Sequence, residues 1–202
     1  MTYMPRKKQW YEIVTPKEFG EKVIGDTMAT DPKNLIGRKV TVSMLDLLKD
    51  FSKFYLKLQF QIDTVNGSKA YTKLIGHDCT RERIYRMVQR HVKRVDVIQD
   101  VVTKDNIKVR VKTVFVLIKK VNTSKKNAAR KKAREIIDTA AKGVNFLDLI
   151  NMIIAGELQQ TIRKGCSKIC TMGNIEIRRS DILHGKKTVT EEKEAEGEVV
   201  EA

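Results

Sequence analysis

Phe54-Tyr55-Leu56-Lys57-Leu58-Gln59-Phe60-Gln61-Ile62-Asp63 decides the fold class. Phe54, Leu56, Leu58, Phe60 and Ile62 alternate with Tyr55, Lys57, Gln59, Gln61 and Asp63. A period of two sends one set into a core and the other into water, which marks a half-buried strand. Asn66-Gly67, a tight-hairpin dipeptide, follows, and Ala70 to Ile75 reads as the returning strand.

The same reasoning extends in both directions. Upstream, Trp10 to Val14 reads as a short strand, and Thr15-Pro16-Lys17-Glu18 opens one helical turn. Asp31-Pro32-Lys33-Asn34 is a turn, and Arg38 to Leu45 is strand-like, with Val40, Val42 and Met44 on one side. Downstream, Thr80 caps a helix to about Val92, with Ile84, Met87, Val88 and His91 toward the core. Val95 to Val102 and Ile107 to Ile118 form a second hairpin through Thr103-Lys104-Asp105-Asn106.

Beyond this point the period becomes helical. Thr123 to Lys142 carries Ala129, Ala133, Ile136, Ile137 and Ala140 at helical spacing, with Gly143 as the terminator. Asn145 caps a further helix. Another, from about Glu157 to Ile169, buries Leu158, Ile162, Cys166 and Ile169. Asn174 to Arg178 alternates again, as an edge strand. Strands before about residue 118 and helices after it define an α+β fold. The expected core is an antiparallel curled sheet or a β-barrel-like core in the N-terminal two thirds, with helices packed on it. The expected organisation is a basic arm over residues 1–9, one RNA-binding core over 10–184 and an acidic disordered tail over 185–202.

Composition narrows the function. The 202 residues are 41% hydrophobic, enough for one core, and no apolar run has the roughly 18 residues of a membrane helix. Met1 to Gln9 is basic but has no apolar stretch behind it, so no secretory signal is read. Three cysteines do not make a disulfide framework and suit a reducing compartment. The net charge is +15, and the Glu-rich tail hides part of it: residues 1–184 alone carry 37 bases against 19 acids. Such a surplus attracts polyanions. A membrane surface is the weaker partner, because the most basic helix has Ala and Ile on its apolar side in place of Trp, Phe or Leu.

Three basic clusters are candidates for phosphate contact. Lys119, Lys120, Lys125, Lys126, Arg130, Lys131, Lys132 and Arg134 fall within sixteen residues that hold no acid. Like charges at i,i+4 destabilise a helix, whereas a phosphate backbone relieves them and releases counterions. Arg83, Arg86 and Arg90 form a stripe on the helix after Thr80, flanked by Arg81, Lys93 and Arg94. Lys108, Arg110 and Lys112 share the wet side of one strand. Arg6, Lys7 and Lys8 form an arm, Arg38 and Lys39 open a strand, and Arg178 and Arg179 make a lesser site. No aromatic RNA-recognition strand and no GXXG loop is present, so contact with phosphate and sugar is expected to outweigh base reading. Trp10 and Tyr11 are read as core.

Enzyme motifs fail. Gly20 and Gly25 have the spacing of a phosphate-binding loop, but Asp26 stands where its lysine is required. Cys166 and Cys170 with His184 resemble a zinc set, but Cys166 lies on the apolar stripe and is read as a buried thiol. No catalytic residue, metal or cofactor is expected. An RNA-processing or visiting RNA-binding factor is the alternative reading.

Gly37-Arg38-Lys39-Val40-Thr41-Val42-Ser43-Met44-Leu45-Asp46-Leu47 resembles the signature of the archaeal and eukaryotic small-subunit ribosomal protein family called S-three-a-e, or eS-one. Lys8 to Ile13 with Pro16, Gly25-Asp26-Thr27, Gly76 to Glu82, Val95-Asp96-Val97 and Thr103 to Asn106 with Arg110 agree in order over about residues 7 to 180. Thr41 and Lys39 depart from the pattern, which expects Glu and an aliphatic residue. In the family, Gly76 to Glu82 corresponds to the loop that opens its basic helix. The resemblance implies a β-barrel-like core with helices, on the small-subunit platform near the mRNA exit. It also implies contact with small-subunit rRNA, neighbouring ribosomal proteins and initiation factors, and a cytoplasmic, ribosome-bound location. The missing C-terminal extension of eukaryotic members implies an archaeal source.

Overall fold

The computed structural model describes residues 7–119 and 121–183. Arg6, Lys120, His184 and the acidic tail lie outside the described residues. Among the described residues the strands are β1 (Gln9–Val14), β2 (Val23–Ala29), β3 (Lys39–Ser43), β4 (Leu56–Asn66), β5 (Lys69–Cys79), β6 (Lys93–Val102), β7 (Lys108–Leu117) and β8 (Met172–Ile182). The helices among the described residues are α1 (Met44–Leu48), α2 (Arg81–Met87), α3 (Thr123–Gly143), α4 (Phe146–Ala155) and α5 (Glu157–Ser167). The α+β class holds.

The β4–β5 hairpin is the trunk. Leu56, Leu58, Phe60 and Ile62 are at most 3% exposed, so the alternation does bury one face. The strand starts at Leu56, because Phe51–Lys53 forms a short 3-10 turn that leaves Phe54 outside. Asn66 pairs with Lys69, and Gly67 takes the left-handed φ of +59° that the turn requires.

β5 makes the sheet fork. One edge pairs with β4 along its length, from Asn66↔Lys69 to Leu56↔Cys79. The other edge pairs first with β1, in parallel, at Lys69 to Tyr71, and then with β8, antiparallel, at Gly76 to Asp78. The branches are β2-β1 and β8-β7-β6, while β3 lies outside β4. The sheet is therefore mixed at one pairing and open, which sets aside an all-antiparallel sheet and a closed barrel. Gly76 makes the crossing possible: a Cβ there would stand 1.9 Å from the Ser180 carbonyl oxygen. The Gly76 to Cys79 segment is strand, not loop, and only Thr80 separates it from α2.

β8 is interior, between β5 and β7, where the sequence reads as an edge. Ile175, Glu176 and Ile177 are all buried, so both faces are covered. Glu176 looks like a wet-face residue in sequence and is buried because a distant arginine neutralises it (see below). α1 and β2 are also absent from the sequence reading. Ser43 ends β3 by turning its Oγ to accept from the Leu45 N–H at 3.3 Å, so Met44 opens a helix in place of extending the strand.

The helices cover the sheet through small residues. Ala129, Ala133, Ile137 and Ala141 form the buried stripe of α3, which packs on β6 and α5. Gly165 lets α5 approach, since a Cβ there would meet Ile136 Cδ1 at 2.4 Å. α4 buries Phe146, Leu149, Ile150 and Ile153 at helical spacing. Asp105, in the β6–β7 turn, accepts from the Phe146 N–H at 3.0 Å and does the capping expected of Asn145. Each such buried side chain is worth ~1.5–3 kcal/mol of transfer free energy. One large apolar cluster runs through β3–β8 and all five helices, and a smaller one lies under β1 and β2.

Candidate nucleic-acid interface

α2 is rooted by Ile84 and Met87, both buried. It ends at Met87, so Arg90 does not continue the stripe; His91 has φ +66° and is exposed, not turned to the core. The remaining arginines divide between two flanks. Arg83 and Arg86 line a cleft with Phe54, Tyr55 and Glu82. Arg81 lines another with Tyr85, Arg94 and Arg178. Tyr85 is 71% exposed. The fold thus brings Arg178 of β8, Arg94 of β6 and Arg81 together, which sequence order conceals.

Arg83 has an internal partner. Its Nε and Nη2 both donate to Glu176 Oε1, at 2.9 and 2.7 Å, and its guanidinium lies 4.6 Å over the Tyr55 ring. Burial is the largest single influence and works against this charge, but the Glu176 hydrogen bond and the surrounding negative charges, Glu176 first, together outweigh it and hold the guanidinium above its ordinary pKa. Burial, aided by the Glu176 charge, raises the Tyr55 phenol and pushes the Cys79 thiol up to about 12.

α3 carries its cations on two edges. Lys125 lines a cleft with Lys119, Asn122 and Cys170 on the α5 side. Lys132, on the same edge, pairs with Glu135 at 3.0 Å. Arg134 is on the β6 edge, where its carbonyl accepts from Gln99 Nε2 at 3.4 Å. Arg130 and Lys126 are half-buried, and Arg130 Nη1 donates to Asn127 Oδ1 at 3.4 Å. Lys131 and Arg134 are exposed. No carboxylate of the described residues pairs with Lys119, Lys125, Lys126, Arg130, Lys131 or Arg134.

The sheet is different. Arg110 grips Asp100 with Nε on Oδ1 at 2.6 Å and Nη2 on Oδ2 at 2.8 Å. Arg179 Nε donates to Asp181 Oδ1 at 2.8 Å. Across the strands Asp100, Arg110 and Asp181 stand in register, so the cationic row joins a ladder of mixed sign. The Arg110 hydrogen bond holds the Asp100 carboxyl below its ordinary value. Lys7, Lys8 and Lys39 are exposed. Arg38 ties the Pro32–Asn34 turn to β2, donating to Asn34 O, Thr27 Oγ1 and Met28 O at 2.9–3.1 Å. Tyr11 is buried, but Trp10 is 64% exposed and is not core.

The nucleophile-type residues are packed away. Cys79, Cys166 and Cys170 are buried free thiols, and burial pushes Cys166 up to about 11. His77 is fully buried: Nε2–H donates to Ile177 O at 3.0 Å, and Nδ1 accepts from Ser180 Oγ at 2.6 Å. Burial holds its imidazole below the ordinary histidine value. Among the described residues no His, Cys, Asp and Glu cluster can hold a metal, and no helix is long and apolar enough to cross a membrane.

The fold is a forked α+β sheet whose helices α2 and α3 carry cations without carboxylate partners among the described residues. The chain's relatives identify the family. Residues 5–186 match the ribosomal S3Ae family, and the chain belongs to that family. It is 38% identical over 200 residues to "Small ribosomal subunit protein eS1" of Methanocaldococcus jannaschii, covering 98% of this chain and 90% of that one. The protein of the same name in Methanothrix thermoacetophila is 37% identical over 178 residues, covering 88% and 84%. That of Methanococcus maripaludis strain C6 is 37% identical over 200 residues, covering 98% and 88%.

Proposed function

We propose that this chain is a structural constituent of the small ribosomal subunit, supporting translation without catalytic chemistry. It binds small-subunit rRNA mainly through phosphate, on the platform near the mRNA exit, beside neighbouring ribosomal proteins and within reach of initiation factors. It works in the cytoplasm, bound to the ribosome. Family membership supports the ribosomal role. The observation that carries the binding mode is the set of unpaired cations on α3 and α2, set against the internally paired Arg94, Arg110 and Arg179 of the sheet. Exposed Lys and Arg without carboxylate partners repel one another and are relieved by an RNA backbone. Sedimentation tests the reading: the chain is expected in the small-subunit fraction after a high-salt wash. Release by that wash into the soluble fraction would identify a visiting RNA-binding factor instead.

A further inference from the structure

We propose that the cleft between the Phe51–Lys53 turn and α2 is a subsite for one unpaired RNA nucleotide with an exocyclic amino group. The proposal rests on the RNA-binding reading and names a ligand within it.

Phe54 stands at the mouth of the cleft and is 54% exposed. Its neighbour Tyr55 meets it edge-on, 6.1 Å between centroids at 89°, and about half of the Phe54 surface stays open to solvent. The wall behind is rigid. Glu176 holds Arg83, Arg83 lies over the Tyr55 ring, and the Thr80 N–H donates to Tyr55 O at 2.8 Å. An aromatic face preorganised in this way is a base-stacking platform, and each stacked base is worth about 1–3 kcal/mol.

The other lining groups choose the occupant. Arg86 is exposed and has no carboxylate partner among the described residues, so it offers a fork to phosphate. Glu82 lines the same cleft and is an acceptor only. It accepts from the exocyclic amino group of adenine, guanine or cytosine; uracil offers only its N3–H, flanked on both sides by carbonyl oxygens that repel the carboxylate, so it is the poorer ligand. Glu82 also repels a duplex backbone, so the ligand is a splayed nucleotide. The cavity is about 230 Å³. That is below the ~300–1,000 Å³ of sites for drug-sized ligands and suits a single base. The opposite flank of α2 carries Arg81 and Arg178 without carboxylate partners among the described residues, beside Arg94, whose Nε donates to Asp96 Oδ1 at 2.9 Å, and so continues the cationic surface next to the cleft.

The test uses the full chain and fluorescence anisotropy with oligo(A), oligo(U) and a duplex RNA at fixed salt. Oligo(A) is expected to bind on the order of tenfold tighter than oligo(U). Phe54→Ala removes that preference and leaves duplex affinity unchanged, Phe54→Trp keeps it, and Glu82→Gln brings oligo(U) toward oligo(A). Because Phe54 is exposed, Phe54→Ala is expected to keep the parent circular dichroism. Equal oligo(A) and oligo(U) affinity in the parent chain would overturn the proposal, as would oligo(A) affinity unchanged by Phe54→Ala. A crosslink from a benzophenone side chain at position 54, in assembled subunits, that reaches only protein would also overturn it. Loss of duplex binding with the oligo(A) preference intact would sink the broader phosphate reading and leave this subsite standing.

Discussion

The β6–β7–β8 sheet and the α3 helix are both rich in cations, yet they use them differently. On the sheet Arg110 has Asp100 and Arg179 has Asp181, and on its rim Arg83 has Glu176. On α3, Lys125, Lys131 and Arg134 have no carboxylate partner among the described residues. Among the described residues, three of the sheet's arginines are neutralised by their own carboxylates while Lys93, Lys108, Lys112 and Arg178 are not, whereas on α3 only Lys132 has such a partner. The pairing state, more than a count of basic residues, therefore separates cations already committed to the fold from cations left available to a polyanion such as the proposed RNA.

The comparison breaks most completely where the paired region is taken apart. Gly76→Ala drives a Cβ into the Ser180 carbonyl and separates β5 from β8. Denaturant unfolding should register a loss of at least about 3 kcal/mol, at the top of the overpacking range. Arg83→Gln comes next, because it leaves Glu176 buried and uncompensated. A fully buried pair costs ~3–5 kcal/mol to break, and Arg83 is 40% exposed, so about 2 kcal/mol is expected in the same assay.

His77 sharpens the contrast through pH. Its folded-state pKa is lowered, first by burial, and so below the ordinary value near 6.5 the unfolded chain binds a proton that the folded chain refuses. Stability should be level above that value and fall as pH drops below it, by at most about 1.4 kcal/mol per pH unit. Chemical melts from pH 7 to 5 check this, and His77→Gln should lessen the slope. The smallest effect is expected for Asp100→Asn on the solvent-exposed ladder, where the unfolding midpoint should match the parent.

Much of the fold was legible because local patterns carried it. Leu56 to Ile62, the turn at Gly67 and the alanine stripe of α3 all announce themselves by period. What was lost depends on distance or on competing local signals. Val40, Val42 and Met44 continue a strand alternation, although Ser43 caps a helix at that point. Gly25 and Asp26 disguise β2. Glu176 made β8 look like an edge, because its partner Arg83 is 93 residues away. The site was half legible for the same reason. Charge is written locally, but whether Arg110 or Lys131 is already paired depends on contacts across strands and between elements.

The salt dependence of binding to a small-subunit rRNA fragment tests the central claim most directly. The account predicts that Lys125→Gln, Lys131→Gln and Arg134→Gln together reduce the slope of log affinity against log salt by about 2, given ~0.7–0.9 per neutralised phosphate. It predicts that Arg110→Gln with Arg179→Gln leaves that slope where it was. An unchanged slope in the helix variant, or an equal drop in the sheet variant, would contradict it.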